Sequence, residues 1–364
     1  MSTTSKSPRK VALVAVDVGK AALPAYAHRF SPKVFTQPQL FACLVLRQFF
    51  RTDYRGITGI LSDAPLLRDA IGIQKVPHWT TLQKASRRLL RNASVQKLLD
   101  ATLVRARPRR RHKRRPRVKR SAIDSSGFES HQCSSYFVRR RAKGRKDWQK
   151  TTYKTFPKLA MLANCSNHMV LAAVAERGPG PDITHFERIV CQAYPRAKME
   201  TLLADAGYDA EWVHEVARHD LGIRTIIPPK IGRGTDKPPT GYHRRVMSER
   251  IHLTCYGQRW QAETTFSMIK RRLGSAVNAR SYWSQCRALM LKAVVHNILI
   301  LHAPTEPSRP AAGGVFYRAR QAGFLDNLPL PINAEVFHTW PPLLRHRSRR
   351  TDESNLPPAE AVCL

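Results

Sequence analysis

Three carboxylates occupy positions from which they could do chemistry. Asp124 follows the apolar pair Ala122–Ile123, and Asp205 follows Leu202–Leu203–Ala204. Glu263 lies within CYGQRWQAETTFSMIKRRLG, among Arg259, Lys270, Arg271 and Arg272. Reactive groups in open α/β sheets gather beyond the carboxyl ends of strands, and both aspartates lead from such ends into short turns, DSSG and DAGYD. A single strand-end aspartate often does no more than cap a turn. Two of them in one sheet of a strongly basic chain call for a chemical reading. Treating the third stretch as one helix with about 100° per residue places Arg259, Glu263 and Lys270 within about 60° of Tyr256. That polar stripe adjoins an apolar band of Ala262, Phe266, Ile269 and Leu273. Glu263 alone could be an ordinary i,i+4 partner of Arg259, worth only about 0.2–0.5 kcal/mol. Joined to Asp124 and Asp205, it makes a candidate site for two Mg²⁺ ions, with Mn²⁺ as a substitute. Mg²⁺ takes oxygen ligands, and a pair of ions about 3.5–4 Å apart serves both the attacking and the leaving oxygen of a phosphodiester. His131, His168, His185 and His214 lack metal-ligand spacing and are assigned none.

The elements that must position these acids read as follows. SAID is a short strand, and LAMLANCSNHMVLAAVAER is two strands around a polar turn at Ser166–Asn167. DITHFERIVCQAY is an amphipathic helix, METLLADAGYD a strand, AEWVHEVARHDLG a helix stopped by Gly222, and IRTIIPPK a strand stopped by prolines. Strand, strand, strand, helix, strand, helix, strand indicates a mixed α/β sheet flanked by helices. The apolar SQCRALMLKAVVHNILI is a helix covering that sheet. Upstream, QLFACLVLRQFFR, ITGILSDAPLLRDAIG and TTLQKASRRLLR predict a small all-helical domain over residues 34–103, a candidate for DNA binding with Arg87, Arg88 and Arg91 facing solvent or phosphate. Residues 1–33, mixed in character with one short apolar run, read as a poorly ordered N-terminus, and Asp17 and Lys20 interrupt that run, which argues against a secretory signal. Residues 104–120 read as a basic linker, residues 121–303 as the catalytic domain, and residues 304–364 as a Pro/Arg-rich tail.

Charge narrows the partners. The 364 residues hold 62 Lys and Arg against 26 Asp and Glu, a formal +36. An excess of that size attracts polyanions, nucleic acid first. Eleven of the sixteen residues from Arg105 to Arg120 are Lys or Arg, and Pro108 and Pro116 oppose a helix there. Arg109, Arg110, Arg111, Lys113, Arg114 and Arg115 are therefore candidate nucleic-acid contacts. Seven scattered cysteines without a CxxC pair disfavour both a disulfide framework and a zinc site, which suits a reducing cytosol. No apolar run approaches the length of a membrane span.

The ordered acids, with Tyr256, Arg259, Glu263 and Lys270 at Tyr-x2-Arg-x3-Glu-x6-Lys spacing, resemble the DDE transposases of bacterial and archaeal insertion sequences, of the ribonuclease-H-like superfamily. LLADAGYD is similar to the family's second-acid segment, and the likeness covers roughly residues 118–300. The resemblance implies a ribonuclease-H-like mixed sheet preceded by the helical domain. It also implies metal-bound Asp124, Asp205 and Glu263, water attack at a transposon-end phosphodiester, and transfer of the freed 3′-hydroxyl into target DNA. Arg259 and Lys270 would contact end DNA or support the glutamate, Tyr256 would support end binding, and Arg271 is a further candidate DNA contact. Double-stranded DNA carrying terminal inverted repeats, a homodimer or larger assembly, and a cytoplasmic, nucleoid-associated setting follow from the same likeness. The competing readings are an inactive transposase relic or DNA-binding protein, and a structural RNA-binding protein. Neither needs three converging carboxylates.

Overall fold

The computed structural model describes residues 4–107, 115–130, 156–230, 238–251 and 255–301. Six helices come first: α1 (Pro8–Ala22), α2 (Gln37–Phe49), α3 (Tyr54–Asp63), α4 (Pro65–Ile71), α5 (Trp79–Leu89) and α6 (Asn92–Arg105). Then follow β1 (Arg117–Gly127), β2 (Phe156–Asn164), β3 (Val170–Gly178), α7 (Phe186–Ala193), β4 (Lys198–Leu203), α8 (Glu211–Glu215) and β5 (Arg224–Ile226). Finally come α9 (Tyr242–Arg250), α10 (Trp260–Leu273) and α11 (Tyr282–Ile300). The strand order is β3-β2-β1-β4-β5. β1 pairs antiparallel with β2, as β2 does with β3, while β1–β4 and β4–β5 are parallel. The sheet is thus mixed and flanked by helices, in the chain order read from the sequence.

The period-2 alternation of a strand sorts side chains between two layers. In β2, Leu159 and Met161 join a core shared with α10, α11 and the N-terminal helices, and Ala160 and Leu162 pack with α7 on the other face. Buried Asn297 of α11 ties the layers together. Its Oδ1 accepts the Val170 N–H at 2.8 Å, and its Nδ2 donates to the Val170 carbonyl at 2.9 Å and to Thr102 of α6 at 3.1 Å. Asn297→Ala leaves the Val170 groups buried and unpaired, so unfolding free energy should fall by about 3 kcal/mol in a urea titration.

Three sequence expectations are corrected. Residues 1–33 contain a packed helix: Ser7 caps α1 by accepting the Lys10 N–H, Pro8 occupies its first turn, and Val11, Val14 and Val18 are buried. Asp17 and Lys20 lie on its exposed face, so they complete an amphipathic pattern instead of breaking an apolar one. The basic linker is shorter than 104–120, because Arg105 ends α6 and Arg117–Arg120 already belong to β1. There Val118 is buried and paired with β4, while Arg117, Lys119 and Arg120 face solvent. Residues 34–103 do not stand apart as a separate domain. Phe41, Leu44 and Leu82 share one apolar cluster with Phe266, Leu289 and Val294, and all the elements belong to one compact unit. The tail assigned to 304–364 lies outside the described residues.

His296 of α11 is buried beside this core, its Nε2 2.9 Å from the His168 carbonyl oxygen. Burial, with His168 nearby, lowers its pKa from the usual 6.5 to about 4. The unfolded chain therefore binds more protons between those values, and stability is lost as pH falls from about 6.5 towards 4. The expected loss from this residue is up to about 3 kcal/mol. Denaturant titrations at pH 7 and pH 4.5 should show a smaller difference for His296→Gln than for the parent.

Candidate active site

Parallel pairing of β1 with β4 aligns the two aspartates. Ala122 is the register partner of Leu203, so Asp124 and Asp205, each two residues further on, emerge side by side from neighbouring strands. Alternation then sets their face. Ile123 and Leu202 belong to the α7 side, whereas Ala122 and Leu203 pack against Ala262 of α10. Both aspartates share the α10 face, and Glu263 follows Ala262 directly. The local backbone supports each aspartate. The Ser125 N–H donates to Asp124 Oδ1 at 2.8 Å, and the Gly207 N–H donates to Asp205 Oδ1 at 2.9 Å, capping a short 3-10 turn. A Cβ at position 207 would lie 2.9 Å from that same oxygen, so a larger residue there would press on the Asp205 carboxylate.

Electrostatics mark this as a crowded carboxylate site. The Asp124 carboxyl is pushed up to about 6, first by burial and then by Asp205 and Asp182, against the opposing pull of the Ser125 N–H and Arg259. Tyr208, in the turn after Asp205, is fully buried, and its hydroxyl has no hydrogen-bond partner among the described residues. Burial raises its pKa, and Asp182, Asp124 and Asp205 add to the effect. Asp182 is a fourth acid that sequence reading treated only as part of a helix. It accepts from Ser125 Oγ and pairs with Lys158 of β2, which also donates to the Gly180 carbonyl at 2.6 Å. Sequence separation carries no hint of this network, although an aspartate opening an apolar helix is a visible feature.

The third acid is held differently. Tyr256–Arg259 is a 3-10 turn and α10 begins only at Trp260, so the four residues are not on one continuous α-helix. Arg259 Nη2 donates to Glu263 Oε1 at 2.5 Å, with the glutamate side chain 57% exposed. Arg259 also acts on Asp124, and Tyr256 feels Arg259, Asp205 and Glu263. Lys270 reaches back to Ser126 Oγ at 2.7 Å, two residues from Asp124. Arg271 is exposed, its Nε 3.4 Å from the Ser267 carbonyl. The apolar band of α10, Ala262, Phe266, Ile269 and Leu273, is buried. Among the described residues, no three His, Cys, Asp or Glu side chains are gathered closely enough to hold a metal ion. Glu263 is engaged by Arg259. Of the basic run, Arg109, Arg110, Arg111, Lys113 and Arg114 lie outside the described residues. Arg115 donates to the Tyr194 carbonyl at 3.0 Å and covers that tyrosine ring.

The family model described as Transposase DDE domain matches residues 95–298. The chain belongs to that family. The matched stretch runs from within α6 to within α11 and so contains all five strands and α10. Membership implies a transposase, a nuclease-type enzyme with DNA as its partner. No curated protein matches the chain. Among the described residues no helix is long and apolar enough to cross a membrane.

Proposed function

We propose that this chain is a DNA transposase of ribonuclease-H-like fold that cleaves transposon ends and transfers the resulting 3′-hydroxyl into target DNA. The carrying observation is the placement of Asp124 and Asp205 at adjacent parallel strand ends, facing the helix that bears Glu263. The β3-β2-β1-β4-β5 order, with three antiparallel and then two parallel strands, supports the fold assignment.

The donor set suits Mg²⁺ or Mn²⁺. Carboxylate oxygens are hard ligands, and two neighbouring aspartates, one with a raised pKa, gain most from a divalent cation. Asp124 and Asp205 would hold it, and Glu263 would complete the set for a second ion once Arg259 gives up its pair to phosphate. Bound there, the ions supply Lewis-acid stabilisation of the attacking and leaving oxygens. In cleavage, a water oxygen bonds to phosphorus and the bond to the 3′ oxygen breaks, leaving a 3′-hydroxyl and a 5′-phosphate. In transfer, that hydroxyl attacks a target phosphodiester and the target's own 3′ oxygen departs. Arg259 and Lys270 offset phosphate charge beside the acids, and Tyr256 supports the bound end. Arg271 and the run Arg109, Arg110, Arg111, Lys113, Arg114 and Arg115 hold flanking backbone, consistent with the charge excess. The reading includes a homodimer or larger assembly to hold two ends, acting in the cytoplasm on nucleoid DNA.

A plasmid carrying a marker between the two DNA segments that flank the gene, which on this reading hold inverted repeats, provides the test. Wild-type protein should excise the marker and insert it elsewhere with a short target duplication. A failure of both steps, with the protein folded and the repeats intact, would refute the assignment.

A further inference from the structure

Lys158 of β2 is 8% exposed, and a charge taken that far from water is costly unless it is paired and hydrogen-bonded. Its amine pairs with Asp182, which opens the 3-10 turn Asp182–His185 ahead of α7, and donates to the Gly180 carbonyl at 2.6 Å. Apolar residues of similar volume often serve stability as well as a buried ion pair does. Stability alone therefore does not account for charges at this position. The contact that the pair makes with β1 does.

Register places the pair behind Asp124. In the antiparallel β1–β2 ladder, Asp124 lies opposite Met161 and Ser125 opposite Ala160. Met161 belongs to the core on the α10 side, and Ala160 to the core under α7. Asp124 and Ser125 thus leave the strand on opposite faces, and Lys158, in step with Ala160, shares the face of Ser125. Ser125 bridges the two faces. Its Oγ donates to Asp182 Oδ1, the same oxygen that Lys158 engages, and its N–H donates to Asp124 Oδ1 at 2.8 Å. The contacts run from Lys158 through Asp182 and Ser125 to Asp124, crossing the sheet within one residue. Past Ala122 the pairing of β1 with β4 has ended, so the backbone at Ser125 is held by β2 and by this side-chain anchor. A backbone N–H can fix a carboxylate only as firmly as its own peptide is fixed.

We infer that Asp182 and Lys158 are positioning residues, which anchor Ser125 from the α7 side so that its N–H holds the Asp124 carboxylate in place. This role rests on the proposed use of Asp124 as a ligand for a divalent cation. Asp182 Oδ1 already accepts from two donors, which suits an anchor better than a further ligand. Losing a group that orients a metal ligand typically costs about 10–100-fold in metal affinity or activity.

The test uses Asp182→Ala and Asp182→Asn in the full-length chain, with Asp124→Asn as the reference. Mn²⁺ binding is followed by electron paramagnetic resonance without DNA, and single-turnover cleavage of a labelled transposon end is measured across DNA concentrations. Thermal melting checks that each variant folds. Asp182→Ala should weaken Mn²⁺ binding about tenfold and lower the limiting cleavage rate about 30-fold, with the half-saturating DNA concentration within about threefold of the parent. Asp182→Asn keeps an oxygen acceptor for Ser125 Oγ and should return both readouts to within about fivefold of the parent. That recovery separates an anchor from a ligand, because an amide replacing a ligating carboxylate would fall with Asp124→Asn. If the lone Asn variant unfolds around an unpaired Lys158, Lys158→Met/Asp182→Asn removes both charges, keeps the acceptor and carries the same expectation. Parent values of both Mn²⁺ binding and cleavage in Asp182→Ala would overturn the inference, as would an Asn variant as impaired as Asp124→Asn. Mn²⁺ binding that Asp124→Asn leaves unchanged would overturn it together with the proposed role of Asp124. Mn²⁺ binding through Asp124 with the tenfold Asp182→Ala effect, but no cleavage by the parent, would count against the transposase reading and leave the positioning role standing.

Discussion

Asp124→Asn and Asp205→Asn should each lower end cleavage by at least about 1,000-fold while leaving DNA affinity within about threefold of wild type. Each aspartate supplies an anionic oxygen donor at a strand end, and an amide is neutral and a far weaker ligand. DNA affinity arises instead from the cationic surface, which neither substitution touches. Glu263→Gln should also abolish cleavage, but it adds a structural change, because it removes the ion pair with Arg259. The exposed pair contributes at most about 1 kcal/mol to stability, so this variant should fold and bind. Denaturing gels of a labelled transposon end in Mg²⁺ measure cleavage, and anisotropy measures binding. Residual cleavage near the wild-type rate in any one variant would remove that residue from the site.

Deleting residues 1–24 should abolish cooperative folding or leave a protein with a sharply lowered urea midpoint. Val11, Val14, Val16 and Val18 of α1 are buried. At about 1.5–3 kcal/mol each, their burial amounts to an upper bound of about 6–12 kcal/mol, which the entropy of ordering the helix partly offsets. A typical domain has only about 5–15 kcal/mol in total. Removing α1 would also uncover the faces of α2 and α6 against which it packs. Near-ultraviolet circular dichroism and a urea titration decide the matter. An unchanged midpoint would mean that the segment contributes no packing.

The sheet was legible because strands of apolar, β-branched and small residues are bounded by turn residues, and that pattern is local. Two local patterns were masked by charge. In α1, exposed Leu13, Asp17 and Lys20 recur at helical spacing, but read linearly the charged pair looks like an interruption. At the start of β1, a single buried residue, Val118, sits among Arg117, Lys119 and Arg120, so the strand resembled linker. The candidate site divides in the same way. Strand-end aspartates and the spacing around Glu263 are written locally. The contacts of Ser125 with Asp182 and of Lys270 with Ser126 span 57 and 144 residues, and no spacing rule reaches that far. Nor does the sequence mark the passage at Arg259 from 3-10 turn to α-helix, because no Ser, Thr, Asp or Asn stands there as a cap.

The central claim is that Asp124 and Asp205 act on a DNA phosphodiester through a divalent cation. A transposon-end duplex with one non-bridging oxygen of the scissile phosphate replaced by sulfur tests it directly. Sulfur binds Mg²⁺ poorly and the softer Mn²⁺ better. Cleavage of one diastereomer should fall at least about tenfold in Mg²⁺ and recover in Mn²⁺, with none in EDTA. Cleavage that continues in EDTA, or that is equally fast for oxygen and both sulfur diastereomers in Mg²⁺, would contradict the account.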